Sequence, residues 1–279
     1  MPTLFLVGTP IGNLEDISLR ALRVLREATL VAAEDTRVTG RLLRHYKIAT
    51  PMVSYHEFSR QGRIDELIER AKAGDVALVS DAGMPGLSDP GYRLVKAAIE
   101  AGYQVSPIPG PSAAVAALVS SGLPTEKYLF LGFLPRQQSA RRAALQSVAQ
   151  LPYTLVIYEA PHRLLNLLAD IVSTLGDREL CIARELTKLY EETWRGAASQ
   201  AIRHFRQGQI RGEITVVITG AGRDEVKWAE TEVLAELEKQ LAEGASNKQA
   251  VSSLVEQSGW NRRDVYRLAL QIRKDHSQE

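Results

Sequence analysis

Three stretches of small residues each follow a short apolar run: Gly8-Thr9-Pro10-Ile11-Gly12-Asn13, Ser80-Asp81-Ala82-Gly83-Met84-Pro85-Gly86-Leu87-Ser88-Asp89-Pro90-Gly91 and Pro109-Gly110-Pro111-Ser112-Ala113. Loops without bulky side chains let backbone N–H and C=O groups approach a ligand closely. One such loop reads as a tight turn that needs Gly and Pro for its geometry. Three after strands of one sheet read as a ligand site, because open parallel sheets bind ligands at the carboxyl ends of their strands. The acid/base candidates are Glu34-Asp35, His56-Glu57, and Glu159 with His162. Each has a structural alternative: His56 as a satisfied loop histidine, Glu34 or Glu159 as a turn cap or a partner of an arginine.

Several chemistries are absent from the pattern. No GxGxxG follows a strand, no GxxxxGK[ST] exists, and neither HExxH nor GxSxG occurs. The five histidines are far apart in sequence, and the single cysteine, Cys181, excludes a disulfide framework and a CxxC redox pair. No metal site is expected. The 34 Lys and Arg against 33 Asp and Glu leave +1, so bulk charge announces no nucleic-acid partner. Local clusters do. Arg37, Arg41, Arg44 and Lys47 are spaced 4, 3 and 3, which puts them on one helix face. Arg60, Arg63, Arg136, Arg141 and Arg142 read as further basic positions, none compensated within a helical turn by several acids. Residues 226–243 hold two Lys/Arg and five Asp/Glu, a balance of −3, and residues 244–274 hold six against two, a balance of +4. Such faces are either solvated or bind RNA phosphates.

The elements that must position these groups alternate. Strands are expected at 3–7, 29–33, 52–55, 76–80, 104–108, 128–131, 154–158, 179–183 and 214–219. Between them lie helix-period positions, such as Ile64, Leu67, Ile68 and Ala71. The pattern predicts an α/β fold with mostly parallel sheets, whose continuous apolar strands are covered on both faces. Turns around Pro107, Gly110 and Pro111, and again at Gly122-Leu123-Pro124, join two α/β lobes, residues 1–110 and 111–222. After Thr219 and the Gly220-Ala221-Gly222-Arg223-Asp224 stretch, only helices are expected, near 228–241, 247–257 and 262–273, with Ser246 and Asn261 as N-caps of the last two. They form a small all-helical domain, residues 226–279. The N-terminus has no basic segment ahead of its short apolar run, and no apolar run reaches ~18 residues, so a soluble cytoplasmic protein is expected.

The loops in their order, with residues 4–14 and Ala33-Glu34-Asp35-Thr36-Arg37 ahead of the second and Ser88-Asp89-Pro90-Gly91 at its end, resemble the tetrapyrrole methylase superfamily. Tyr158-Glu159-Ala160-Pro161-His162-Arg163 and Ala183-Arg184-Glu185-Leu186-Thr187-Lys188 resemble its ribosomal branch, which methylates a cytidine 2′-oxygen in small-subunit ribosomal RNA. The resemblance covers residues 1 to about 220. The C-terminal helices resemble, less specifically, that branch's helix-turn-helix-like tail.

The resemblance implies S-adenosylmethionine in the cleft between two lobes, held largely by backbone. Position by position it assigns to that cofactor Gly8, Thr9 and Pro10, then Ser80, Asp81, Ala82 and Gly83, then Ser112 and Ala113. Phe133, Leu134, Leu186 and the span Glu213 to Thr215 are the share of the second lobe. At the second loop the chain departs from the family's Gly-Asp-Pro, with Ser for the Gly and Ala-Gly for the Pro. Asp35, Arg37 and Glu159 become the catalytic candidates, with Arg37 able to orient the ribose. Arg37, Arg41, Arg44, Lys47, Arg60, Arg262, Arg263 and Arg267 become the RNA contacts. The implied partners are 16S ribosomal RNA in the 30S subunit and a second copy of the chain. The rivals are a tetrapyrrole or corrin methylase, and a non-catalytic RNA-binding assembly factor.

Overall fold

The computed structural model describes residues 2–56, 59–221, 228–258 and 260–275. Glu57 and the 222–224 part of the expected lobe-to-tail break lie outside the described residues. Met1–Ala149 with Tyr153–Thr219 form one compact unit, and Gln150–Pro152 with Gly220–Glu279 form the other.

The first unit opens with a five-stranded sheet: β1 (Thr3–Val7), β2 (Leu30–Ala33), β3 (Met52–Ser54), β4 (Val76–Val79) and β5 (Gln104–Ile108). Its order is β3-β2-β4-β1-β5 and every pairing is parallel. Helices α1 (Leu19–Glu27) and α2 (Thr36–His45) cover one face through Leu22, Leu25, Leu42 and Leu43. Helices α3 (Gln61–Ala71) and α4 (Tyr92–Glu100) cover the other through Ile64, Leu67, Leu94 and Ala98. Strands β2 and β4 are therefore buried at every position, which their Leu, Val and Ala runs require. The strand order decides the site. Strands β4, β1 and β5 are neighbours, so the three small-residue loops that follow them emerge side by side at one sheet edge.

Helix α5 (Ala113–Ser120) leads to the second sheet. Its strands are β6 (Tyr128–Phe133), β7 (Thr154–Glu159), β8 (Glu179–Arg184), β9 (Glu192–Ala197) and β10 (Ile214–Ile218), in the order β6-β7-β10-β8-β9. Only β6 and β7 pair in parallel there; the other three pairings are antiparallel. The alanines of α5 let it lie close against this sheet, with Ala114, Ala117 and Leu118 packed on Val156, Cys181, Ala183 and Val217. Strand β9 is absent from the sequence reading, because its Glu192-Thr193-Trp194-Arg195-Gly196-Ala197 contains no apolar run. Helices α6 (Gln138–Ser147), α7 (Leu164–Leu175) and α8 (Ala198–Phe205) complete the lobe. One expectation fails here. Arg141 and Arg142 are not free surface cations, since buried Asp170 of α7 accepts from Arg141 Nε at 2.7 Å and Arg142 Nε at 2.6 Å.

The second unit holds α9 (Glu230–Ala242), α10 (Asn247–Ser258) and α11 (Arg262–Asp275). Val233, Leu237, Val251, Leu254, Val265 and Leu268 form its own core. Both N-caps hold as read: Ser246 Oγ accepts from Gln249 N, and Asn261 Oδ1 accepts from Asp264 N at 3.0 Å. Trp260 Nε1 donates to the Trp228 carbonyl at 2.8 Å and closes the bundle. Among the described residues, no helix is long and apolar enough to cross a membrane.

Candidate active site

The loop after β1 is sewn between its two neighbours. Gly8 N–H donates to the Ile108 carbonyl at 3.1 Å, and Thr9 and Gly83 exchange two backbone hydrogen bonds of 2.9 and 3.0 Å. Thr9 Oγ1 adds a bond to the Ser80 carbonyl at 3.2 Å. A Cβ on Gly8 would lie 2.7 Å from Gly110 Cα, so the first and third loops touch backbone to backbone. Only glycine at both positions allows this.

These loops and the second sheet enclose a cavity of about 370 Å³, within the range of small-molecule sites. Of the residues assigned from sequence, Ala82, Gly83, Ser112, Ala113, Phe133, Glu159, Leu186, Glu213 and Thr215 line it. Gly8, Thr9, Pro10, Ser80, Asp81 and Leu134 do not line it. Gly8 and Thr9 fix the loops, and the Leu134 carbonyl holds Arg163 Nη2 at 2.8 Å. Asp35 and Arg37 also stand outside the lining. Sequence reasoning missed Ile11, Met84, Leu87, Ser88, Asp89, Tyr158, Ala160, Pro161, Ala183 and Gly212, while Ile214, inside the expected Glu213 to Thr215 span, lines the cavity too. Ser88, Asp89 and Tyr158 lay inside motifs already singled out, which was the available signal.

Glu159 is the most deeply buried acid of the lining, with its side chain fully inaccessible. Its Oε1 accepts from Ala160 N at 2.8 Å and lies 3.0 Å from Arg163 Nε, without hydrogen-bond alignment to it. Its Oε2 has no partner. Burial raises its pKa, against the pull of the Ala160 N–H and Arg163. Next to it, the Tyr158 hydroxyl accepts from Ala114 N at 3.1 Å at the start of α5, and burial raises its pKa too.

The first lobe contributes a run of carboxylates. Asp81 Oδ1 accepts from Asp35 N at 3.1 Å, and Glu34 Oε2 accepts from Asp81 N at 3.2 Å, which ties the β2 and β4 loops together. Asp35 caps α2 and is gripped by Arg37, whose Nη2 lies 2.6 Å from Oδ2. That bond holds the Asp35 carboxyl down at about 2. Asp89 is the opposite case. Burial first, then Glu34 and Asp81, push it up to about 6 against a Ser80 hydrogen bond.

Over the cavity, the turn after β8 is strained. Glu185 and Thr187 adopt φ of 53° and 67°, which non-glycine residues rarely take. The turn is pinned by Lys188 Nζ to Glu185 at 2.8 Å and to Glu213 at 3.1 Å. Gly12 of the first loop packs on it, since a Cβ there would lie 2.5 Å from Lys188 Cγ. Away from the cavity, Arg37, Arg41, Arg44 and Lys47 are all exposed, opposite the buried Thr39, Gly40, Leu42 and Leu43 of α2. Arg60 is exposed as well, and so are Arg262, Arg263 and Arg267 on the outer face of α11. His56 and His162 are exposed and outside the lining.

A parallel lobe, a mixed lobe and a loop-built ligand cavity define a two-lobed α/β class of small-molecule-using protein. The chain belongs to the Tetrapyrrole (Corrin/Porphyrin) Methylases, whose family model matches residues 3–202. A Synechocystis sp. protein named Ribosomal RNA small subunit methyltransferase I is 47% identical over 278 residues, 99% of this chain and 100% of the relative. A Thermotoga maritima protein of the same name is 50% identical over 221 residues, 79% of this chain and 99% of its own. The fold is that of uroporphyrin-III C-methyl transferase from Thermus thermophilus, solved with S-adenyl homocysteine: TM-score 0.56 at 20% identity, covering 79% of this chain and 99% of that one. The family and the fold class expected from the loop motifs both hold.

Proposed function

We propose that this chain is an S-adenosylmethionine-dependent methyltransferase that modifies the 2′-hydroxyl of a cytidine in 16S ribosomal RNA of the 30S subunit. The observation that carries the reading is the chemistry of the lining: small residues, three carboxylates (Asp89, Glu159 and Glu213) and no Lys or Arg. Such a lining suits a ligand bearing net positive charge. The unpartnered Glu159 Oε2 leaves an acceptor for one of its donors. The two relatives, alike to this chain over nearly all of their own length, supply the substrate class.

When bound, the cofactor supplies an electrophilic methyl group on a positively charged sulfur. Ala82-Gly83, Ser112-Ala113, Phe133 and Leu186 of the lining would hold it, and the unpartnered Glu159 Oε2 would accept from one of its donors. Much of the acceleration then comes from holding the nucleophile in line. Arg37, which grips Asp35 outside the lining, orients the ribose of the bound RNA. Arg41, Arg44, Lys47, Arg60, Arg262, Arg263 and Arg267 contact phosphates. We further propose a cytoplasmic homodimer that works without metal; the exposed apolar Val115, Val119, Leu189 and Tyr190 favour a second copy as partner. Light scattering at micromolar concentration reads twice the 30.8 kDa chain mass if that is right.

Incubation with methyl-labelled S-adenosylmethionine and either 30S particles or a precorrin tests the function. Label in 16S RNA, mapped by mass spectrometry to a cytidine ribose, is the expected result. Label in the macrocycle alone makes the chain a tetrapyrrole methylase, and binding to 30S without label makes it an assembly factor.

A further inference from the structure

We propose that Asp89 is the general base that takes the proton from the hydroxyl being methylated. The assignment rests on the reading above, and it follows from how the three carboxylates of the cavity are placed. Glu159 is fully buried and already engaged on one oxygen by Ala160 N–H, with Arg163 beside it. Glu213 is pinned by Lys188, with 74% of its side chain exposed. Asp89 alone is half-buried, lines the cavity and lies in ion-pair contact with no Lys or Arg among the described residues. A macromolecular substrate can meet it at the cavity mouth, where exposed Leu87 and Ser88 precede it.

The groups facing Asp89 come from three elements. The Ser80 hydroxyl and Asp81 come from its own loop, Glu34 from the end of β2, and Tyr158 from β7 across the cavity. Two acids and a tyrosine around the Asp89 carboxylate make it a ready proton acceptor, whereas the Arg37 fork occupies both oxygens of Asp35. Ser88, immediately before Asp89, sits at φ 62°. Non-glycine residues held in this region cluster at functional sites. The step balances. The hydroxyl proton passes to an Asp89 carboxylate oxygen as the ribose oxygen bonds the methyl carbon, and the carbon–sulfur electron pair stays on sulfur. The positive charge that leaves sulfur is matched by the negative charge that leaves Asp89.

Three measurements test it. In cofactor-free protein labelled with ¹³C-aspartate, one carboxyl resonance should titrate near pH 6 and be missing from Asp89→Asn. In single-turnover methylation of 30S particles from pH 5 to 9, the wild-type rate should rise tenfold per pH unit and level off above that midpoint. Asp89→Asn should lose this limb and be roughly 10²–10⁴-fold slower at pH 8, with Asp89→Glu partly restored. Calorimetric affinity for S-adenosylmethionine should fall by no more than about tenfold in Asp89→Asn, one carboxylate of three, and hold in Asp89→Glu. The assignment is overturned if no aspartate titrates above about pH 5, if Asp89→Asn keeps the wild-type rate, or if rate and cofactor affinity fall by the same factor. Wild-type protein that leaves 30S unlabelled overturns the substrate reading and this assignment with it. Active wild type beside a fully active Asp89→Asn removes Asp89 alone.

Discussion

Asp35 and Asp89 show how the same side chain is set to opposite tasks by its neighbours. Asp35 is accessible and gripped by Arg37, so it stays ionised and caps a helix. Asp89 is desolvated among other acids, so its charge is resisted. The sign of the consequence can be worked out. Its folded pKa of about 6 exceeds the ordinary 3.8, so between those values the folded chain binds more protons, and stability falls as pH rises through that window. The full difference corresponds to ~3 kcal/mol, and partial exposure to solvent reduces it to about 1 kcal/mol. Asp89→Asn should therefore melt roughly 2–4 °C above wild type at pH 8, with the gap closing by pH 4. Calorimetric melts across this range check it, and an unchanged or lower Tm at pH 8 would mean that Asp89 is not desolvated. Glu159 carries a second prediction. Glu159→Gln is isosteric but removes the charge behind the unpartnered Oε2, so cofactor affinity should fall roughly 10–100-fold, the worth of one charge-assisted hydrogen bond. Titration calorimetry reads this, and an unaltered Kd would place the polar end of the cofactor elsewhere.

At the scale of elements, the exposed face of α2 argues for RNA contact by charge alone. Arg41 and Arg44 form no ion pair among the described residues, and both point away from the buried Leu42 and Leu43. Replacing both with Ala should weaken 30S binding and lower the slope of log affinity against log salt by roughly one to two, leaving cofactor affinity unchanged. A wild-type slope in that variant would reduce the face to a solvated one. The sequence made the loops of the cavity legible, since continuous apolar strands and small-residue loops are local patterns that a parallel sheet must reuse at one edge. Contacts between distant elements were not legible. Arg141 looked uncompensated because its partner, Asp170, lies 29 residues away on another helix. Asp89 sat in plain view inside a motif, yet Glu34, which shifts it, comes from another strand, and Tyr158 comes from the other lobe. Strand β9 escaped because a sheet edge asks only for half-burial.

At the scale of the molecule, a net charge of +1 conceals an uneven distribution, with +4 over residues 244–274. Helix α11 spends its apolar positions Val265, Leu268, Ala269 and Ile272 on the bundle core. Arg262, Arg263 and Arg267 are left outside with Tyr266, a basic surface interrupted by an aromatic ring. Such a surface suits phosphate contact with a base stacked beside it. The cavity, by contrast, is lined wholly by residues of the first unit. The Thermotoga maritima relative is matched over 99% of its length by 221 residues, close to the size of that unit alone. Catalysis and the tail are therefore expected to be separable. Deleting residues 226–279 should leave cofactor affinity within about twofold of wild type while weakening the binding of 30S particles. The salt slope should fall by about one for each tail arginine that neutralises a phosphate, roughly three if all three engage. Turnover at saturating 30S should persist, because the reacting groups stay in place and only substrate capture is weakened. Calorimetry with S-adenosylmethionine and salt-titrated 30S binding measure the two quantities on one truncated protein. A folded truncation that no longer binds the cofactor would mean that the helices help to form the cavity. One that binds 30S with the wild-type salt slope would move the RNA contact wholly onto the first unit.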